Sequence, residues 1–368
     1  SMTSPSGPIP DPAPLRVLMF PKHGDNPYIR SLVSSLEHSG VQIDDFSFIR
    51  ALQQRYDVLH IHWPDLHLQA RSSVRVMAKH ARLALLFVLL RLRKTRIVWT
   101  VHNLKPHERH LRLGELLFPI WFPRLCTHVI ALTKHGLDSA RAIYPGLRNK
   151  AAAVIPHGHY RDAYGPPLPR ASCRDQLGLA HRFTFLFIGH IRNYKNVPRL
   201  IEAFRGLERQ DVQLVIAGQP GQMTNVDELR ALAAGDDRIH LRLEFVPDDK
   251  VPLFVGASDL VVLPFEAILN SGSVFLALSF NRAVLAPNLG SLPEIQSHVG
   301  ARWVTLFDKP LTTEHLLQAM SSGPGEHESA DLSFYDWDAI GRQTLRFYLT
   351  HSAAQQQAFD VHGDLHSR

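Results

Sequence analysis

Apolar runs of strand length alternate with longer segments of helical period along most of the chain. The first series of short apolar runs predicts strands at 15–20, 41–48, 57–62, 96–102, 127–132 and 151–155. A second series predicts strands at 183–188, 211–217, 238–241, 259–263 and 282–286, with helices at about 197–208, 224–234 and 311–321. Strands that alternate with helices are typical of a parallel sheet with crossover helices. The pattern therefore predicts an α/β protein.

The two series are separated by a segment rich in proline and glycine, residues 156–169, which indicates a linker. We expect a first Rossmann-like domain over 15–160, a second over 161–335, and a helix over 336–351 that returns to the first domain. The Pro-rich residues 1–14 and the tail 352–368 are predicted to be disordered. Ligands of such sheets bind at the carboxyl ends of the strands, and the two domains would enclose a cleft there.

Composition narrows the class of protein. The chain has 368 residues, of which 45% are hydrophobic and 20% charged, with a net charge of +6; this excludes a disordered or fibrous protein. Two cysteines, Cys126 and Cys173, are too few for a disulfide framework and favour the cytoplasm. The longest charge-free stretch of the most apolar helix, 83–90, is shorter than the roughly 20 residues of a membrane span. No basic stripe with interleaved aromatic residues indicates a nucleic-acid partner.

Two polar turns follow predicted strands of the second domain. The first contains Gly189, His190, Arg192 and Lys195 and precedes a helix. Free amide groups at a helix start, together with positive side chains, suit a diphosphate. Solvated loop charges are the alternative.

The second turn contains Glu266, Asn270, Ser271, Gly272 and Ser273 and opens an apolar helix. Its small polar residues suit an anion, or they form a plain helix cap without a ligand. Two such turns in one sheet favour a nucleotide diphosphate. No GxxxxGK[ST] or GxGxxG motif supports an ATPase or a nicotinamide enzyme.

Three polar residues of the first domain lie at or after the ends of its predicted strands: Asp25, Asp65 and His102. A general base for a hydroxyl nucleophile belongs at this edge. The alternative for each residue is a structural role, which for Asp25 and Asp65 is turn formation. His60 and His62 lie on one face of a strand, without the cysteine or HExxH pattern of a zinc site. We expect no metal.

One predicted helix, 73–93, carries Arg75, Lys79 and Arg82 on an otherwise apolar segment, and the next helix contains Trp121. Such a surface suits an anionic membrane or a lipid-linked acceptor. The alternative is a crossover helix that packs on the sheet with a solvated basic stripe, and aromatic residues that belong to the core.

Several segments resemble the two-Rossmann-domain (GT-B) glycosyltransferases over residues 15–348. They are DVLHIHWPD (57–65), IVWTVHN (97–103), VIPHGHY (154–160), FIGHIRNYKN (187–196), the region from LPFEAILNSGS to RAVLAPNLGSLPEI (263–295), and the helix that begins at Trp337. The combination is most similar to bacterial exopolysaccharide transferases of the xanthan β-mannosyltransferase type.

The resemblance implies a role for several residues. Gly189 and Lys195 match the glycine and the diphosphate-binding lysine of the donor domain. His190 stands where the large retaining family has arginine, so Arg192 is expected to take over that pairing. The retaining family's Glu-x7-Glu pattern is incomplete, because position 274, eight residues after Glu266, is valine.

The resemblance further implies transfer of a hexose, mannose among them, from a GDP or UDP sugar to a hydroxyl of a glycan or polyprenyl-linked acceptor in bacterial polysaccharide synthesis. We expect a metal-independent, inverting reaction on the inner face of the membrane. Asp25 or Asp65 would be the base, and His102 would position the sugar or the diphosphate. A sugar-nucleotide epimerase and a non-catalytic assembly protein that binds nucleotide or glycan are the competing hypotheses.

Overall fold

The computed structural model describes residues 13–24, 27–104, 112–268 and 270–350. The first domain is built on parallel strands that are largely buried on both faces. They are β1 (Arg16–Phe20), β2 (Gln42–Asp45), β3 (Val58–Ile61), β4 (Arg96–Val101), β5 (His128–Ala131) and β6 (Ala151–Val154). Within the described residues they form one six-stranded sheet in the order β2-β1-β3-β4-β5-β6.

Helices cover both faces of this sheet. They are α1 (Pro27–His38), α2 (Phe48–Gln53), α3 (Ser73–Leu92), α4 (Arg112–Leu125) and α5 (Lys134–Ile143), with short 3-10 helices at Pro64–His67 and Pro145–Leu147. Successive residues of β1 enter opposite cores: Leu18 and Phe20 pack in one apolar cluster, and Val17 and Met19 in the other. This alternation follows from the two-residue period of a strand.

The second domain repeats the plan. Its strands are β7 (Phe183–Ile188), β8 (Val212–Ala217), β9 (Ile239–Arg242), β10 (Leu260–Val262), β11 (Ala283–Pro287) and β12 (Val304–Phe307), in the order β12-β11-β10-β7-β8-β9. The sequence pattern did not predict β12. This strand is four residues long and lies at the edge of the sheet, so its apolar signal is short.

Its helices are α6 (Arg161–Tyr164), α7 (Arg170–Leu177), α8 (Val197–Arg205), α9 (Val226–Ala233), α10 (Val251–Ala257), α11 (Gly272–Ser279), α12 (Leu292–Val299) and α13 (Thr313–Ser322), with 3-10 helices at Asn193–Lys195 and Ser333–Tyr335. The predicted fold class, two tandem Rossmann-like units, is confirmed. In each sheet the strand order reverses beside the first strand, between β1 and β3 and between β7 and β10, and ligands of such sheets bind outside these points.

The last helix, α14 (Trp337–Tyr348), crosses back to the first domain, as expected. The Ser35 hydroxyl donates to the carbonyl of Trp337 over 2.6 Å, and Arg96 Nη1 donates to the carbonyl of Tyr348 over 2.7 Å. A Cβ at Gly341 would lie 2.0 Å from Ser35 Oγ, so only glycine permits this close approach of α14 to α1.

Candidate active site

The loop after β7 forms one wall of the candidate donor site. Gly189 adopts a φ of 133°, which favours glycine. A Cβ on the neighbouring Gly218 would lie 1.8 Å from the Gly189 carbonyl oxygen. Two glycines therefore let the loops after β7 and β8 touch.

Lys195 lies beside this glycine turn. Its Nζ lies 3.5 Å from where a Cβ of Gly189 would be, and 5.6 Å from the centroid of the Phe265 ring. Burial, followed by the nearby Arg192 charge, lowers the pKa of Lys195 to about 8. No carboxylate among the described residues forms an ion pair with it. A half-buried ammonium group without an anion loses part of its hydration, and a bound anion would offset that loss.

Two further predicted donor residues share this loop. Arg192 is half-buried and caps the 3-10 helix that holds Lys195, while His190 is exposed. Partial burial and the charges of Lys195 and Arg192 lower the pKa of His190. The structure thus places two cations and an imidazole on one loop, as the sequence predicts.

The loop after β10 lies against the first one. The backbone amide of Glu266 donates to the carbonyl of Tyr194 over 2.9 Å, while the Glu266 side chain is exposed. Ser271 caps α11, and its Oγ accepts from the amide of Ser273 over 3.2 Å. Gly272 leaves room for the Tyr160 hydroxyl, which lies 3.2 Å from the position of a Cβ there.

Asn270 forms hydrogen bonds to residues of both domains, which the sequence did not indicate. Its Nδ2 donates to the carbonyl of His102 over 3.0 Å, and its Oδ1 accepts from the Ser291 hydroxyl over 3.0 Å. The carboxamide is therefore engaged between the two domains. This favours a role in holding the domains together rather than the direct donor contact that we expected from the sequence.

A second bridge between the domains lies nearby. The Glu294 carboxylate accepts from the backbone amides of Lys134 and His135 over 2.9 and 2.6 Å, at the start of α5. Thr133 Oγ1 and Ser291 Oγ are 2.7 Å apart. These bonds draw the carboxyl ends of both sheets together.

The first domain contains a cavity of about 950 Å³ at the ends of β3 and β4, and Asp65 and His102 both line it. Trp99 and Phe118 form an aromatic wall, with ring centroids 5.7 Å apart. Tyr144 also lines the cavity; burial and then the Asp65 charge raise its pKa to about 12. An apolar wall with a few polar groups is typical of a pocket for an amphiphilic organic ligand. Asp25, the third predicted catalytic residue, lies outside the described residues.

Buried histidines surround His102, and the sequence did not predict their arrangement. The rings of His60 and His62 stack with centroids 4.2 Å apart. Tyr28 lies edge-on to His62 and His102, and it lies tilted against His157 with ring centroids 4.8 Å apart. The alternating histidines of the HIHW segment were the available signal. No group of three His, Cys, Asp or Glu side chains in the described part of the chain is placed to hold a metal ion.

Helix α3 has a buried apolar face and an exposed apolar face. One face packs in the core through Val76, Leu83 and Leu90. The opposite face exposes a row of apolar side chains: Val74, Met77, Leu85, Val88 and Leu92. Leu116 and Ile120 of α4 are also exposed. A row of exposed apolar side chains of this kind is typical of an interaction surface.

The predicted basic residues flank this exposed face. Arg75 is exposed, Lys79 Nζ donates to the carbonyl of Gln69 over 2.5 Å, and the Arg82 guanidinium lies 3.9 Å from the Phe48 ring centroid. Trp121 is half-buried and donates to His80 Nδ1 over 2.9 Å. Trp121 therefore packs beside the cavity, and the structure does not place it on the exposed face. No helix in the described ranges is long and apolar enough to cross a membrane.

The two Rossmann-like domains have strand ends that face each other. One side carries a lysine with no ion pair in the part of the chain that the structure describes, and the other a carboxylate-lined cavity. Together these features define a GT-B glycosyltransferase. The sequence profile of the family described as "Glycosyl transferases group 1" matches residues 182–322. The chain is 36% identical over 334 residues to the GDP-mannose:glycolipid 4-beta-D-mannosyltransferase of Xanthomonas campestris pv. campestris, covering 89% of each chain. The protein belongs to this glycosyltransferase family, and its hexosyltransferase activity, expected from the sequence, is confirmed.

Solved structures agree on the fold. Sucrose-phosphate synthase from Thermosynechococcus elongatus superposes with a TM-score of 0.66 at 14% identity, covering 95% of this chain and 100% of that chain. Anabaena HepE in complex with UDP superposes with a TM-score of 0.58 at 16% identity and the same coverage. At these identities the likeness concerns the fold alone.

Proposed function

We propose that the protein transfers mannose from GDP-mannose to a hydroxyl of a glycolipid, with the diphosphate held by the loops after β7 and β10. The observation that carries the proposal is Lys195, a half-buried cation beside Gly189 that has no carboxylate partner among the described residues. The chain is 36% identical to a GDP-mannose:glycolipid mannosyltransferase over 89% of its length. A nucleotide diphosphate supplies the anion that Lys195 lacks.

The leaving group requires charge stabilisation. As the bond between the sugar C1 and the diphosphate oxygen breaks, negative charge grows on the diphosphate. Lys195, Arg192 and the backbone amides at the start of α11 are the groups that meet this charge, and preorganised donors of this kind contribute strongly to catalysis. We include metal independence in the proposal, because the side-chain cations take the part that a metal ion plays in other transferases.

The acceptor belongs in the cavity of the first domain. Asp65 would take the proton of the acceptor hydroxyl. The oxygen of that hydroxyl would form the new bond to C1 from the face opposite the diphosphate, which inverts the anomeric centre. Val274 supports this stereochemistry: it is fully buried and apolar at a position where the retaining pattern, counted from Glu266, has a carboxylate.

We also propose that the exposed apolar face of α3 rests on an anionic membrane. The row from Val74 to Leu92 would dip into the leaflet, with Arg75 and Arg82 at the headgroups. The wall of the cavity includes Val76 and His80 from the same helix, so the cavity is within reach of a lipid-linked acceptor.

The test is a product assay with purified protein, GDP-mannose or UDP-glucose, and a polyprenyl-diphosphate oligosaccharide. We expect a mannosylated glycolipid by mass spectrometry, a β linkage by NMR, and full activity in EDTA. Lys195→Ala should lose at least about 10²-fold in rate, whereas Lys250→Ala, an exposed lysine of the same domain, should not change it. Undiminished transfer by Lys195→Ala would refute the donor site. An epimerised nucleotide sugar, or binding without transfer, would point to the competing functions.

A further inference from the structure

A chain of hydrogen bonds ends on His102. His62 Nε2 lies 3.2 Å from the sulfur of Met19, and His62 Nδ1 lies 3.1 Å from His102 Nε2. All three side chains are buried. The chain thus runs from a thioether, through one imidazole, to the imidazole that lines the cavity.

The sulfur fixes the direction of these bonds. A thioether has no hydrogen and only accepts, so the contact at Met19 requires the proton of His62 on Nε2. A neutral His62 then has a lone pair on Nδ1. Because two lone pairs facing each other at 3.1 Å would repel, His102 must carry its proton on Nε2 and donate it to His62.

The charged alternative is disfavoured by the surroundings. Burial, and then neighbouring histidines, hold the pKa of both His62 and His102 well below the usual value of 6.5. His60 lies next to these hydrogen bonds but takes no part in them, because both of its nitrogens are already bonded, to Thr100 Oγ1 over 2.7 Å and to the Tyr348 hydroxyl. The pair is therefore neutral at pH 7, with one proton on each ring.

The remaining nitrogen of His102 is Nδ1. Within the described residues it makes no hydrogen bond. The ring is clamped by Trp63, which stacks at 4.6 Å with an interplanar angle of 23°, and by the edge of Tyr28 at 4.9 Å. A rigid imidazole that borders the cavity therefore offers a lone pair and no proton.

We propose that His62, backed by Met19, is a positioning residue that fixes His102 as the Nε2–H tautomer, so that His102 Nδ1 accepts a hydrogen bond from a sugar hydroxyl. This resolves the two roles open for His102, because a lone pair repels phosphate oxygens and binds a hydroxyl hydrogen. The hydroxyl's identity rests on the proposed function, whereas the tautomer does not.

The tautomer is measured directly by NMR of the full-length protein labelled with ¹⁵N-histidine at pH 7, with signals assigned through His62→Asn, His62→Phe and His102→Gln. We expect protonated Nε2 and unprotonated Nδ1 for both rings. A His102 ring protonated on Nδ1 would overturn the proposal. If the spectra show the expected tautomer but no nucleotide sugar is turned over, the proposed function fails and the tautomer assignment stands.

A pair of variants separates positioning from packing. Asn at position 62 keeps an acceptor near the place of Nδ1, whereas Phe fills the space without one. We expect His62→Phe to show mixed His102 tautomers and a kcat lower by about 10–100-fold, the range found when the partner that orients a metal-binding histidine is removed. His62→Asn should recover most of both. Equal loss in the two variants, with His102 unchanged in the spectra, would assign His62 to packing alone.

Discussion

The side-chain amide of Asn270 donates a hydrogen bond to the backbone carbonyl of His102 over 3.0 Å, across the cleft between the two domains. The other end of the same amide accepts from Ser291. Asn270 therefore sets where the acceptor-side imidazole lies relative to the donor loop. Orientation of this kind contributes to the rate because reacting groups must be held at near-bonding distance.

Replacing Asn270 by alanine should lower kcat/KM about tenfold. The loss corresponds to roughly 1.4 kcal/mol, which lies within the usual net contribution of one hydrogen bond. Steady-state kinetics with GDP-mannose measure it. Asn149→Ala is the control, since Asn149 is exposed and makes no hydrogen bond across the cleft to any residue that the structure describes. Equal rates in the two variants would show that the bridge has no part in transfer.

The lowered pKa of Lys195 predicts that GDP binding weakens at alkaline pH. The diphosphate binds the ammonium form, and the free enzyme loses this form as the pH rises through about 8. A bound anion raises the pKa of Lys195, so the dissociation constant should increase about fivefold between pH 8 and 9. Isothermal titration with GDP over pH 7 to 9.5 measures the effect.

Lys195→Arg provides the control for this effect. Arginine stays charged throughout that range, so the variant should bind GDP with an affinity that does not change between pH 8 and 9, even if its planar head binds less well overall. A variant with the same alkaline decline as the wild type would assign the titration to another group.

The buried histidines predict a loss of stability in acid. Burial lowers the pKa of His60 to about 3 and that of His157 to about 4, against 6.5 in the unfolded chain. Below pH 6.5 the unfolded chain therefore binds more protons. The free energy of unfolding should then be full above pH 6.5 and fall by about 1.4 kcal/mol per pH unit for each group as the pH drops towards 4.

Urea unfolding at pH 5 and pH 7 measures this difference. His60→Gln removes one such group and should reduce the difference by about 2 kcal/mol. His327→Gln, at an exposed position, should leave it unchanged. The assignment to His60 would be wrong if both variants kept the wild-type difference.

The sequence predicted elements that depend on local patterns, but it did not predict contacts between residues that are far apart in the chain. β7 was predicted with its exact ends over 183–188, because a strand that is buried on both faces is a continuous apolar run between polar turns. The loop that carries Lys195 was found for the same reason, since it follows directly from that strand. The interdomain contacts of Asn270 and Glu294 were not predicted, because their partners belong to the other domain and no local spacing encodes them.

The cavity was only partly predictable. The position of Asp65 and His102 at strand ends placed both at the cleft edge, but the space they share depends on how α3 and α4 pack over the sheet. The two-sided apolar character of α3 was likewise visible as composition. Which side chains remain exposed became clear only once the buried face was fixed by the core.

The exposed face of α3 predicts binding to anionic membranes. Leu85 and Leu92 are 70% and 77% exposed, and burying a side chain of this size in a leaflet contributes about 1.5–3 kcal/mol. The full chain should float with vesicles that contain acidic lipid. Added salt should weaken the binding, because Arg75 and Arg82 would face the headgroups in the proposed orientation. The double variant Leu85→Ser, Leu92→Ser should stay at the bottom of the gradient.

Met223→Ser is the matched control, since Met223 is 79% exposed on the second domain, away from this face. Flotation that Met223→Ser weakens as much as the double variant would move the membrane contact off α3, and failure of the wild type to bind at any salt concentration would remove it.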